Sequence, residues 1–173
     1  VMGCGPIGVG IIQLAKNAGF RVIALDIDLK RLQFVEKIVN GIDTILADYQ
    51  AEYKIMELTQ GALADAVFDA TGNKLAMEAG HHFMKHGGKY ILVGLYKELL
   101  SFNHPEIHAK ETSLLCSRNA TKEDFDRVIQ TLKKEAFPVK HFITHQLHFD
   151  TLIESFKSLY KNEDLLIKAM ISI

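Results

Sequence analysis

The sequence is short of the residues from which disulfide-knit and metal-knit folds are built. Its 173 residues include two cysteines, three prolines and no tryptophan. Cys4 and Cys116 stand far apart and in no CxxC pair, so they can make neither a disulfide framework nor a four-cysteine zinc site. A reduced, cytoplasmic setting is expected. An excess of one charge is missing too: 20 Lys+Arg against 21 Asp+Glu leave a formal −1. Nucleic-acid binding needs a net basic face, so no nucleic-acid partner is expected. No apolar run reaches the roughly 18–20 residues of a membrane span, so no membrane partner is expected. What is present is ordinary for a globular chain, 48% hydrophobic and 24% charged, with length for one domain or a domain plus part of another.

The chain opens on Val1-Met2 and runs straight into Gly3-Cys4-Gly5-Pro6-Ile7-Gly8. A glycine turn of this kind follows a buried strand of about five residues, and two are present. The expectation is a piece of a longer protein, cut inside its first strand.

Short apolar runs then alternate with helical stripes, the pattern of an α/β sheet. The spacing predicts a helix with Ile7, Ile11, Ile12, Leu14 and Ala15 facing inward, stopped at Asn17-Ala18-Gly19. Strands are predicted over 20–26, 43–46, 66–70, 89–95 and 112–116. Asp28 is placed to cap a helix burying Leu32, Val35, Ile38 and Val39, and further helices are predicted over 53–60 and 74–84. Past residue 117 the rhythm ends. An amphipathic helix over 121–135 carries Phe125, Val128, Ile129 and Leu132 on one face. Residues 142–143 read as strand, 149–160 as helix and 166–173 as a last strand.

The glycine turn carries the chemistry. Gly3-x-Gly5-x-x-Gly8 lies between a strand and a helix, and Asp26 ends the next strand 18 residues after Gly8. Gly3 allows the tight turn, Gly5 lets a pyrophosphate approach the backbone, and Gly8 lets the helix pack closely on the strand. The helix N-terminus offers free N–H groups and a positive dipole end. An acid at the position of Asp26 accepts hydrogen bonds from ribose hydroxyls. Together these form a dinucleotide-binding fingerprint on an α/β doubly wound parallel sheet over 1–117, with 118–173 as a short α/β tail. Asp26 is expected to favour NAD over NADP, with Arg31 lying along the adenine.

Four stretches in order extend this to a family resemblance. They are Gly-Cys-Gly-Pro-Ile-Gly, then Asp26 with Arg31, then Phe68-Asp69-Ala70-Thr71-Gly72-Asn73, and then Gly87-Gly88-Lys89 leading to Leu92-Val93-Gly94-Leu95. The chain resembles the coenzyme domain of the zinc-dependent medium-chain alcohol/polyol dehydrogenases. The stretch from Leu114 to Thr121 is most similar to the sorbitol, threonine and galactonate dehydrogenase branch. The resemblance implies NAD(H) as coenzyme, contacted at Gly3, Gly5, Pro6, Ile7, Gly8, Asp26 and Arg31. It places Thr71 and Gly72 beside the nicotinamide ribose, Val93, Gly94 and Leu95 at the carboxamide, and Arg118 within reach of cofactor and active site. It also implies that the catalytic zinc of the full-length protein is held outside this chain, as is most of the alcohol or polyol pocket, so the chain alone is expected to be inactive. The tail is implied to return to the catalytic domain. Two alternatives stay open: a zinc-independent reductase, and a non-enzymatic nucleotide-sensing Rossmann domain, which would keep the glycine turn and Asp26 alone.

Other features have plainer readings. His81, His82 and His86 cluster, and His82 and His86 have the i,i+4 spacing of helical metal ligands. No nearby carboxylate completes a set, so no metal ligand is assigned. His141, His145 and His148 are predicted on the exposed side of a strand and its exit. Asp65 and Asp69 read as strand-end and turn residues rather than a catalytic pair. The exposed apolar stretch 95–102 is expected to join a second copy, giving a homo-oligomer paired through sheet edges.

Overall fold

A computed structural model of the chain describes residues 1–159 and 165–173. The α/β alternation runs α1 (Pro6–Asn17), β1 (Ile23–Asp26), α2 (Leu29–Ile38), β2 (Asp43–Leu46), α3 (Ala51–Leu58), β3 (Ala64–Asp69), α4 (Lys74–Ala79), β4 (Met84–Leu92), α5 (His104–Ala109) and β5 (Ser113–Cys116). β2 pairs with β1, and β3 with β4 and β5 in turn, all parallel. Residues 1–3 join the two halves. Met2 N donates to Phe68 O and Ala70 N to Met2 O, both at 2.8 Å, while Gly3 N donates to Leu25 O at 2.7 Å. Three residues thus take the central strand position. The chain works outward from them to β2, then crosses back to β3 on their other side. That reversal is the switch point at which open α/β sheets bind ligands, beyond the C-terminal strand ends.

Both faces of the sheet are covered, as the doubly wound reading requires. Val9 and Ile12 of α1 and Leu32 and Val35 of α2 pack with Cys4, Val22 and Ala24. Ala51 and Ile55 of α3 pack with Leu25 and Ile45 on the other side, beside Met2, Val67, Met77, Met84 and Tyr90. Ala24 and Leu25 serve opposite faces because side chains alternate along a strand. Asp28 caps α2 by accepting from Lys30 N at 2.8 Å, as its position predicts.

Several boundaries differ from those the spacing predicts, each for a visible reason. α1 buries Gly8, Val9 and Ile12 and leaves Ile7 and Leu14 exposed, because the contact of Gly8 with Gly3 sets the helix's rotation. The helix predicted over 74–84 gives way after Ala79 to a 3₁₀ turn, Gly80–Phe83. There the buried Tyr90 hydroxyl donates to Met77 O at 2.7 Å, and the ring lies where a side chain on Gly80 would have to go. The strand predicted over 89–95 stops at Leu92, since the amides of Val93 and Gly94 turn to Asp69 O.

In the tail, α6 (Lys122–Lys133) starts at a reciprocal capping box between Thr121 and Asp124, and its apolar face is exposed. Residues 142–143 are not strand. α7 (Val139–Phe142) ends there, and the strand is β6 (His145–His148), parallel to β7 (Ala169–Ser172). The three histidines consequently do not share one exposed strand side. His141 is on α7, His145 is half-buried, and His148 points to the opposite face from His145. A 3₁₀ turn, Phe149–Thr151, leads into α8 (Leu152–Leu159); residue 160, the last of the predicted helix, lies outside the described residues.

Residues 95–102 form no strand. Tyr96, Leu100 and Phe102 pack on the chain's own core, while Lys74 Nζ donates to Leu99 O and Ser101 N to Glu78. Three side chains of the stretch thus turn onto the chain's own core, while Leu95 and Leu99 stay exposed. Among the described residues, the unpaired edges of the central sheet are β2 and β5.

Candidate functional site

The site is the rim of the switch point, where residues 3–8, 26–31, 69–72 and 93–95 converge. Gly3 turns the chain with φ +88°, and a Cβ there would meet Ala70 backbone at 3.2 Å. A Cβ on Gly8 would overlap the Gly3 carbonyl oxygen, so α1 seats on the turn only with glycine at that position. Gly5, the N-cap of α1, offers no side-chain cap, and the first helical bond is Val9 N to Gly5 O. The amides of Ile7 and Gly8 therefore lack intrahelical partners and face the crevice with the positive dipole end. This cradle, which a side chain would fill, fits a pyrophosphate.

Asp26 sits beside it, 7% exposed. Its Oδ2 accepts from Cys4 N at 2.6 Å and its Oδ1 from Asp28 N at 2.9 Å. The carboxylate thus braces the glycine turn, which the sequence reading missed, and offers its remaining lone pairs to a ligand. Cys4 is fully buried, and burial, with the Asp26 charge next, pushes its thiol up to about 12. It is a packed residue, as its motif position suggests. A Cβ on Gly5 would lie 3.4 Å from Arg31 Nη1, so the guanidinium stands beside the glycine turn.

The second half of the rim is organised by Asp69, which is fully buried. Its carboxylate accepts from Thr71 Oγ1 at 2.7 Å, Thr71 N at 3.1 Å and Gly72 N at 3.3 Å. Its backbone carbonyl accepts from Val93 N at 2.9 Å and Gly94 N at 2.8 Å. A Cβ on Gly94 would lie 2.7 Å from Asp69 Oδ1. The Asp-x-Thr-Gly pattern after an apolar strand is the available sequence signal for such a carboxylate-braced turn. With two amides engaged by Asp69, residues 93–95 have the Leu95 amide and the carbonyls of Val93 and Gly94 left for a ligand. Arg118 is exposed just past β5, two strands away from the crevice on the same edge. The switch point thus gathers every expected contact residue except Arg118.

Burial raises the Asp69 carboxyl above its ordinary 3.8, against the pull of its hydrogen bonds from Thr71 and Gly72. Between 3.8 and that raised value the folded chain keeps a proton that the unfolded chain releases, so Asp69 makes stability fall as pH rises through this window. Asp69→Asn can keep all three bonds by donating to Thr71 Oγ1. It should gain stability relative to the unmodified chain between pH 4 and 7.5, read from denaturant midpoints. A difference independent of pH would contradict this.

Comparison with known proteins agrees with the fold. The chain is 37% identical over 175 residues to L-galactonate-5-dehydrogenase of Escherichia coli K12, covering 99% of this chain and 51% of that protein. It is 32% identical over 151 residues to a sorbitol dehydrogenase of Halalkalibacterium halodurans, covering 84% and 43%. It superposes on 2R,3R-butanediol dehydrogenase from Bacillus subtilis with TM-score 0.88 at 22% identity, covering 99% and 49%. It superposes on a short chain alcohol dehydrogenase from E. coli CFT073, complexed with the cofactor NADH, with TM-score 0.86 at 21% identity, covering 99% and 51%. The chain spans about half the length of the curated relatives it matches. The family profile for zinc-binding dehydrogenases matches residues 6–134, and with more than half of its residues so matched, the chain belongs to the zinc-binding dehydrogenase family.

Proposed function

We propose that this chain is the coenzyme-binding part of an NAD-dependent alcohol/polyol dehydrogenase, presenting the nicotinamide to a secondary hydroxyl held elsewhere in the protein. The observation that carries the reading is the contact of Gly8 with Gly3 beside Asp26. It leaves an uncapped helix end and a carboxylate on one side of a crevice at the switch point. The amides of Ile7 and Gly8, with Arg31, hold the pyrophosphate, and Asp26 holds the adenosine ribose. Thr71 and Gly72 line the second ribose, and the Leu95 amide with the carbonyls of Val93 and Gly94 orients the carboxamide. Bound NAD supplies a hydride acceptor.

The relatives' names carry the substrate class, a polyol or sugar acid with a secondary hydroxyl. Zinc is assigned to the part of the full-length protein that this chain does not span. Among the described residues, the one group of three metal-ligating side chains is not at the crevice, so no step of hydride transfer is routed through it. No described helix is long and apolar enough to cross a membrane. Cytoplasm is the proposed compartment on the two unpaired thiols. Self-association is proposed along β5, where Leu114 and Leu115 are exposed on an unpaired edge.

The test is a fluorescence titration of the 173-residue chain with NADH, followed by assays with sorbitol and galactonate. Saturable binding without turnover is expected, with or without added zinc. Absent binding would overturn the coenzyme assignment, and zinc-dependent turnover would overturn the division of labour.

A further inference from the structure

At the other end of the strands, two crossover connections meet. The 3₁₀ turn Gly80–Phe83 enters β4, and α5 precedes β5, so both lie at the N-terminal strand ends, away from the coenzyme crevice. Glu106 on α5 reaches the turn 25 positions back in sequence. Its Oε2 lies 3.0 Å from His81 Nε2 and 3.0 Å from His82 Nε2. These three ligand atoms all lie within 4.8 Å of one another. The carboxylate that the sequence lacked near these histidines is supplied by the fold. His86, the other half of the i,i+4 pair, sits on β4 and takes no part.

We propose that His81, His82 and Glu106 form a binding site for a divalent transition-metal ion, Zn²⁺ or one of similar preference. A tetrahedral ion with ligands at about 2.0–2.2 Å needs donor–donor edges of roughly 3.3–3.6 Å. Two edges are already 3.0 Å, and the third closes from at most 4.8 Å by rotation of His82, whose side chain is 44% exposed. Two imidazoles and one carboxylate suit Zn²⁺, Co²⁺ or Ni²⁺ rather than Ca²⁺ or Mg²⁺, which prefer all-oxygen shells.

The surroundings hold the ligands in place. Asn103 Nδ2 donates to Glu106 Oε1 at 2.5 Å and orients the carboxylate. Lys110 Nζ donates to the carbonyls of His81, His82 and Met84 at 3.0–3.1 Å, fixing the turn that carries both rings. The His81 side chain is 3% exposed and wedged edge-on between His82 and Phe102. Its buried Nδ1 has no partner among the described residues. The exposed sides of His82 and Glu106 leave the fourth position open to water. An ion here would clamp the α4–β4 and β4–β5 connections without touching the coenzyme.

Calorimetric titration of the 173-residue chain with Zn²⁺, and with Co²⁺ for its visible absorption band, tests the site independently of the coenzyme reading. One equivalent should bind at micromolar concentration, with Tm rising by roughly 5–10 °C at a hundred times Kd. His82→Gln and Glu106→Gln change exposed side chains and should keep the fold while weakening binding at least tenfold. His108→Gln, on the neighbouring His104–His108 pair, should change it less than twofold, as should Zn²⁺ the affinity for NADH. No saturable binding below about 100 μM would overturn the proposal. So would binding unaffected by His82→Gln, or binding lost only in His108→Gln.

Discussion

Gly8→Ala should cost the chain about 3 kcal/mol or more of folding stability, at the upper end of overpacking effects. The added methyl would overlap the Gly3 carbonyl oxygen and lie 2.8 Å from the Gly3 carbonyl carbon. Neither partner can yield. Gly3 is tied to Leu25 at 2.7 Å and Met2 to Phe68 at 2.8 Å in the middle of the sheet. α1 is seated on the same core through Val9 and Ile12, which are fully buried. Relief requires α1 to lift, which would also move the Ile7 and Gly8 amides from the crevice and abolish coenzyme binding. Gly10, two residues on in the same helix, supplies the contrast, since a Cβ there meets nothing within 4 Å. Gly10→Ala should therefore stabilise the chain by about 0.5–1 kcal/mol through helix propensity alone. Guanidinium denaturation of the three proteins checks both signs. A Gly8→Ala variant within 0.5 kcal/mol of the unmodified chain would show that the close packing of turn and helix is not what builds the site.

The unmodified chain should bind NADH roughly 30- to 1000-fold more tightly than NADPH. A 2′-phosphate beside Asp26 would place two negative charges about 4 Å apart, worth up to about 4 kcal/mol at a surface-like dielectric and about 2–3 after screening. The hydrogen bonds between the carboxylate and the ribose hydroxyls would be lost as well. The carboxylate cannot swing away, because Cys4 N and Asp28 N hold one oxygen each. That bracing sharpens the discrimination and complicates its removal. Asp26→Ser should narrow or reverse the preference, with Arg31 free to meet the phosphate. It should also lose about 1–3 kcal/mol of stability, since the buried Cys4 amide loses its acceptor. Equal affinities for the two reduced coenzymes in the unmodified chain would refute the role given to Asp26.

What could be read from the sequence was whatever neighbours along the chain decide. Asp28 as a cap, Thr121 opening α6 and the glycine turn itself are settled within a few residues, and each lies where its pattern predicts. Features set by distant partners were not legible. The rotation of α1 follows from Gly8 meeting Gly3 across the turn, and the end of α4 coincides with Tyr90 reaching Met77. Strand β6 is specified by pairing with β7, 24 positions away, so the local pattern of 142–143 misled. The same holds within the site. Asp26 and Asp69 brace backbone amides as well as lining the crevice, and Glu106 comes to His81 and His82 only because two crossovers end side by side.

The most direct test of the switch-point site is amide chemical-shift mapping on the isotopically labelled 173-residue chain during NADH addition. Saturable shifts are expected for amides of residues 3–9, 26–31, 71–72 and 93–95, with residues 80–83 and 104–110 unmoved. Shifts confined to the far strand ends or to the tail, with the glycine turn silent, would contradict the assignment of the crevice as the coenzyme site.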